Sequence, residues 1–200
     1  MRIVLAVLAL LVAGCALLEP RHDPSRFYTL SARDPRTASV ALAREAGPSI
    51  VVGPVTFPAY LDRNEVAVRV SPTELTYALT ERWAEPLVQN FTRVLVDDLG
   101  VALGSDRVAA LTSSAAITPD YWIEVVVVRF EAGVDGSAQL TARWAVRNAA
   151  RQVVRVRQSQ QARQATAAST EGGVTALSAA LGDLADEMAS ALQEIPAERR

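Results

Sequence analysis

The 200-residue chain is half apolar, 6% aromatic and 21% charged, with a net charge of −2, which fits a globular domain and excludes a disordered chain or a strongly basic nucleic-acid binder. All twenty basic residues are arginine, and the single histidine is His22. That removes a phosphate-loop or Schiff-base lysine and leaves a Ser-His-Asp triad or a histidine metal site only one linker residue to use; an arginine-favouring, GC-rich genome is the blander cause of the missing lysine.

Residues 1–14 read as a signal peptide: Arg2, an apolar run from Ile3 to Val12, then Ala13 and Gly14. Leu11-Val12-Ala13-Gly14-Cys15 resembles a bacterial lipobox, in which cleavage falls between Gly14 and Cys15. The thiol would then carry a covalent diacylglycerol and the new amine an N-acyl chain, with no other cofactor expected. Cys15 is the chain's single cysteine, so a disulfide would need a second molecule. An uncleaved membrane helix is the alternative, but the apolar stretch from Ile3 to Leu18 falls short of the ~20 residues a span needs. The next residue is Ala16, not the Asp of inner-membrane retention. The expected location is the outer membrane, facing the periplasm, lipid-anchored, in a Gram-negative cell. Cleavage leaves 186 residues, with 19 arginines against 22 acids, enough for one domain.

Residues 15–25 are the lipidated cysteine and a tether with two prolines and no periodicity, reaching up to ~30 Å. The domain is expected over 26–195. Phe27 to Leu30 predicts a short strand, and Ser31 to Pro48 an irregular connection with a helical turn at Val40 to Glu45. Ile50 to Phe57 is a strand in which Gly53-Pro54 marks a bulge or an edge position. Pro58 to Asn64 leaves the sheet. Val66, Val68 and Val70 predict a half-buried strand, Ser71 to Glu74 a turn, and Leu75 to Leu79 an antiparallel return.

Glu81 to Pro86 is expected to open the first helix, whose stripe is Leu87, Phe91, Val94, Leu95 and Leu99, with Gln89, Arg93 and Asp97 opposite. Gly100 or Gly104 ends it. Arg107 to Leu111 is a short strand and Thr112 to Pro119 a loop. Tyr121 to Phe130, apolar on both faces, predicts a central covered strand. Gly133 to Gly136 turns it into a one-faced strand carrying Ala138, Leu140, Ala142, Trp144 and Val146. Val153 to about Ala165 is the last strand. A three-residue loop at Ala149 to Arg151 would set Trp144 opposite Val156, and a two-residue loop would set it opposite Arg155. Burial of the apolar set favours the first and places Arg143, Arg147, Arg155 and Arg157 on one outer face. Ser169 to Leu192 is a helix with Leu177, Leu181, Leu184, Met188 and Leu192 on one stripe and Asp183, Asp186 and Glu187 outside. A coiled-coil seam is the weaker reading of so short a stripe. Residues 196–200 form a polar tail. The expected fold is α/β (α+β): a mainly antiparallel or mixed sheet with two helices packed on one face, in a single domain.

Two clusters stand out. From Gly136 to Thr170 there are six arginines and no acid; Arg143, Arg147, Arg155 and Arg157 could bind anionic lipid or an acidic partner, or be a solvated face whose charges are met from elsewhere. Tyr60, Leu61, Asp62 and Arg63 with Arg82, Trp83 and Glu85 form a candidate partner interface, Tyr60, Leu61 and Trp83 being suited as exposed anchors. Asp62 and Glu85 lack a nucleophile or metal ligand beside them, and an ion-pair network is the preferred reading. No catalytic or metal residues are assigned, and no enzyme activity is expected.

The lipobox, Phe27-Tyr28-Thr29-Leu30, Val52-Gly53-Pro54-Val55, Pro58 to Arg63 and Arg82 to Leu87 together resemble the ABC-type transport auxiliary lipoprotein family, the PqiC/YmbA-like group. The resemblance covers most of residues 15–192, the C-terminal half by pattern more than by motif. It implies a non-catalytic outer-membrane lipoprotein serving as a docking subunit for MCE-domain proteins and their membrane permease components in intermembrane lipid transport. Its partners would be those proteins and outer-membrane lipid, with no nucleic acid, and ring-forming MCE partners suit a homo-oligomer. The rival readings are a lipoprotein that activates or assembles another envelope complex, and a periplasmic hydrolase using Asp62 and Glu85.

Overall fold

In chain order the elements are β1 (Arg26–Tyr28), β2 (Ile50–Thr56), a 3-10 turn (Ala59–Leu61), β3 (Glu65–Arg69), β4 (Leu75–Trp83), α1 (Leu87–Leu103), β5 (Val108–Ala110), β6 (Tyr121–Gly133), β7 (Ser137–Asn148), β8 (Val153–Gln164) and α2 (Thr170–Gln193). This computed structural model describes residues 23–34, 47–112 and 118–195. The signal peptide, Cys15, most of the tether, the turn expected at Val40 to Glu45 and the tail 196–200 lie outside the described residues.

The apolar run expected at the centre is there. One edge of β6 pairs antiparallel with β7, which pairs antiparallel with β8. The other edge is shared: β2 runs parallel to its first half, and β3 parallel to its end at Ala132 and Gly133. Short β5 extends the sheet beyond β2, while β4 and then β1 extend it beyond β3. Eight strands among the described residues thus form one mixed sheet with two α-helices in a single domain of the α+β class.

Both helix stripes are buried as periodicity predicts, Leu87, Phe91, Val94, Leu95 and Leu99 on α1 and Leu177, Leu181, Leu184, Met188 and Leu192 on α2. The α2 stripe packs on the one-faced row of β7, from Ala138 to Val146, also buried, while α1 packs on β2, β5 and α2. Phe91 stands edge-on to Phe57 and Phe130 at centroid distances of 5.1 and 5.3 Å, a geometry aromatic rings favour. Gly104, at φ 60°, caps α1 in the left-handed region that suits glycine. The Ser169 side chain caps α2 by accepting from the Gly172 N–H.

Four expectations change. Glu81 to Trp83 continue β4 rather than open the helix, because β1 pairs alongside them and Trp83 is buried; Pro86 then caps α1. Gly53-Pro54, a cis pair, sits at a register shift, as a bulge should, but β2 is an interior strand paired on both sides, not an edge. On β3, Ala67 is buried and Val70 is exposed. Ala67 lies opposite Tyr77, whose hydroxyl reaches back to the 3-10 turn, so that face is covered too. Lastly, the middle of β6 is covered on one face only: Val126 and Val128 are 50% and 41% exposed.

The β7–β8 hairpin holds the largest correction. Near the turn Arg147 faces Val153, as a three-residue loop requires, but a bulge then shifts the register by one. Trp144 therefore lies opposite Arg157 and Val146 opposite Arg155, rather than opposite Val156 and Val154. A one-residue slip exchanges the faces. Arg155 and Arg157 point to the helix side, while Val156 is left 67% exposed. The physical reason lies in α2, whose acidic flank, not its apolar stripe, faces this edge strand. Asp183 accepts from Arg163, Glu187 from Gln161, and Glu194 from Arg157 at 2.9 Å, with Arg155 at 3.5 Å.

Candidate functional site

The 3-10 turn brings Tyr60 over the end of β6, where Glu131 is only 2% exposed. The Tyr60 hydroxyl donates to Glu131 Oε1 at 2.6 Å. Arg69 donates to both carboxylate oxygens, each at 2.6 Å, and Arg129 Nε donates at 3.2 Å. Tyr77 donates to the Tyr60 carbonyl, and the Arg63 guanidinium lies over the Tyr77 ring. Burial pushes the Glu131 carboxyl up, but the bonds from Arg69 and Tyr60 outweigh it and hold the group below the ordinary glutamate range. Burial first, and then the carboxylate, push the Tyr60 phenol up. The result is a clamped ionised carboxylate, a geometry that locks three elements and leaves no proton near neutrality to give. Sequence reasoning missed it; the trace was Arg129 and Glu131 two apart, hence on one side of a strand.

A second cluster joins β1 to α1. Asn90, 1% exposed, accepts from the Leu30 N–H at 2.8 Å and donates to Thr29 Oγ1 and to Glu85. Glu85 also receives Arg93 at 2.7 Å, and the bonds from Arg93 and Asn90 hold its carboxyl below the usual range. The ion-pair network expected between Asp62 and Glu85 to hold the hairpin onto the helix start does not form: Glu85 pairs instead with Arg93 on α1 and with Asn90, tying the helix to β1. Asp62 is exposed and makes no side-chain bond among the described residues. Leu61 and Trp83, expected as exposed anchors, are 4% and 7% exposed and belong to the core, Trp83 with β1 paired alongside it. Of the candidate interface, Asp62, Arg63 and Arg82 are exposed and Tyr60 is half-buried.

The arginine field divides between two faces. Arg155, Arg157 and Arg163 are met by α2 acids. On the opposite face Arg147 pairs with Glu124 at 2.8 Å, Arg143 bonds Gln158 at 2.9 Å, and Arg151 stacks on the Trp122 ring. The four arginines expected on one outer face are thus two and two. An open, mainly apolar groove of about 680 Å³ runs between α1 and the β2–β5 edge, with the Glu85–Arg93 pair at its rim.

Among the described residues no group of three His, Cys, Asp or Glu side chains could hold a metal ion, and no helix is long and apolar enough to cross a membrane. The sequence matches the family described as ABC-type transport auxiliary lipoprotein component over residues 28–189. A solved structure of an uncharacterized protein is similar to this chain at 18% identity and a TM-score of 0.68, covering 84% of this chain and 98% of its own. A Xanthomonas campestris protein of family DUF330 is similar at 20% identity and a TM-score of 0.65, covering 84% and 94%. Both share the fold. No curated protein matches.

Proposed function

This chain belongs to the ABC-type transport auxiliary lipoprotein family, and on that premise we propose that it is a non-catalytic docking subunit of an MCE-type intermembrane lipid transport system. Cys15 fixes it to the outer membrane, and the domain faces the periplasm. The observation that carries this reading is one chain combining a lipobox-like ending at Cys15 with a family-matching domain over residues 28–189. A single acyl chain binds membranes marginally, at about 0.8 kcal/mol per buried CH₂, whereas several chains on Cys15 give stable anchoring. The committed states of Glu85 and Glu131 support a structural rather than an acid–base role for the polar clusters.

The test uses the full chain and its Cys15→Ala variant in the native cell, with membrane fractionation, mass measurement of the N-terminal peptide and crosslinking in the envelope. A triacylated N-terminus, outer-membrane fractionation and crosslinks to an MCE-domain protein are expected. Acylation or outer-membrane anchoring that survives Cys15→Ala would overturn the anchor. Crosslinks confined to an envelope complex without lipid-transport components would overturn the transport role in favour of an assembly or activation role.

A further inference from the structure

The helices cover one face of the sheet; among the described residues the other face of β6, β7 and β8 is open except at the Glu131 end of β6, which Tyr60 covers. Across it the rows run in register: Glu124, Ala145 and Val156, then Val126, Arg143 and Gln158. Four valines are exposed here, Val126 at 50%, Val128 at 41%, Val153 at 49% and Val156 at 67%. A sheet with one solvated face usually turns polar side chains outward; this one sets exposed valines beside arginines among its glutamines and threonine.

The charge of the face runs against that of the chain. Arg69, Arg129, Arg143, Arg147 and Arg151 stand on it against Glu124 and Glu131, whereas the whole chain carries −2. Both acids are already spent, Glu131 on Arg69 and Arg129, and Glu124 on Arg147. Arg143 and Arg151 face no acid among the described residues. Both are nonetheless held in place, Arg143 by Gln158 and Arg151 by the Trp122 ring. Held side chains lose less entropy when they bind.

We propose that this open face docks an acidic protein surface that carries aliphatic side chains, Arg143 and Arg151 meeting its carboxylates and the four valines its apolar centre. The assignment rests on the transport reading for the identity of the partner, an envelope component of that system. A protein fits better than the bilayer holding the anchor. The apolar groups are valines, and Trp122 is covered by Arg151, whereas membrane-surface faces favour Trp, Phe and Leu.

The test places a benzophenone amino acid at Val156 of the full chain in its native envelope, with Leu111, also exposed but on the far side of β2, as the reference position. Arg143→Glu with Arg151→Glu is combined with the Val156 probe, and circular dichroism and the melting midpoint verify its fold. The expected crosslink from Val156 maps to an Asp/Glu-bearing peptide of a transport component. It falls about tenfold in the charge-reversed chain, because like charges across an interface repel, and returns when the partner's acid is changed to Arg. Several results would overturn the proposal: capture of that component from Leu111 alone, a crosslink between two copies of this chain, or phosphatidylglycerol vesicles floating the protein in an Arg143- and Arg151-dependent way. An acidic partner captured from Val156 that belongs to no transport system would overturn the transport reading and leave the docking face standing.

Discussion

Arg69 and Glu131 meet through two parallel hydrogen bonds of 2.6 Å, on a carboxylate only 2% exposed. Such paired geometry is the strong form of the charge-assisted bond. Removing Arg69 takes both of these bonds from the buried carboxylate and leaves it only Tyr60 and Arg129, so Arg69→Ala should cost about 3 kcal/mol. Because the Glu131 carboxyl titrates below its ordinary range when folded, its contribution is complete above the unfolded value near ~4.3 and fades as pH falls through the folded value. The stability gap between wild type and Glu131→Gln, measured by urea unfolding, should therefore shrink from pH 7 to pH 3. A gap that is constant over that range would contradict the clamp.

Asp98 predicts the opposite sign. It is 1% exposed; Oδ1 accepts from the Arg33 N–H at 2.8 Å, while Oδ2 has no partner among the described residues. Burial pushes its carboxyl up against the bond and the charge of Arg33, and Asp97 and Asp186 push the same way as burial. A raised folded value means that its contribution is full below the unfolded value near ~3.9 and is lost as pH rises through the folded one. Asp98→Asn retains the acceptor for Arg33 and removes the titration. Relative to wild type, the variant should gain stability between pH 4 and pH 7. No change in the difference across that window would refute the assignment.

Phe91 is fully buried at the crossing of α1 with β6, edge-on to two rings. Phe91→Ala should cost about 3–5 kcal/mol through lost transfer and cavity terms. Phe91→Leu should cost less than half of that. Chemical denaturation of the two variants checks the ratio, and equal losses would mean that ring geometry, not volume, dominates.

What was legible in the sequence was local. The stripes of α1 and α2, the alternation of β7 and the glycine ends follow from a repeat of 3.6 or 2 and from chain chemistry within a few residues. What was not legible depends on partners far along the chain. Trp83 looks like the start of a helix until Arg26 to Tyr28 arrive beside it. Arg155 and Arg157 look like an outward pair until Glu194 meets them. Acids at 183, 187 and 194 recur at helical spacing and match arginines and a glutamine on alternate positions of β8; that pairing was the available signal. Glu131 was hidden for the same reason, since Arg69 lies 62 residues away.

Arg151 supplies a test of whether the hairpin turn stores strain for the sake of its open face. It is the non-glycine residue with positive φ among the described residues, at 63°, where an L side chain costs roughly 1 kcal/mol or more. The turn is fixed by Asn148, whose carbonyl accepts from the Arg151 N–H and whose side chain accepts from the Gln152 N–H. Stacking on Trp122 offsets part of the cost, about 0.5–1 kcal/mol for an exposed cation on a ring. Arg151→Gly relieves the backbone and loses the stack, so its stability should stay within about 0.5 kcal/mol of wild type. Arg151→Val loses the stack and adds a branched side chain at positive φ, so it should lose about 2 kcal/mol. Thermal unfolding of the pair separates the two contributions, since both variants remove the charge and only one pays for the turn. If Val is tolerated as well as Gly, the left-handed geometry at Arg151 is not held in solution.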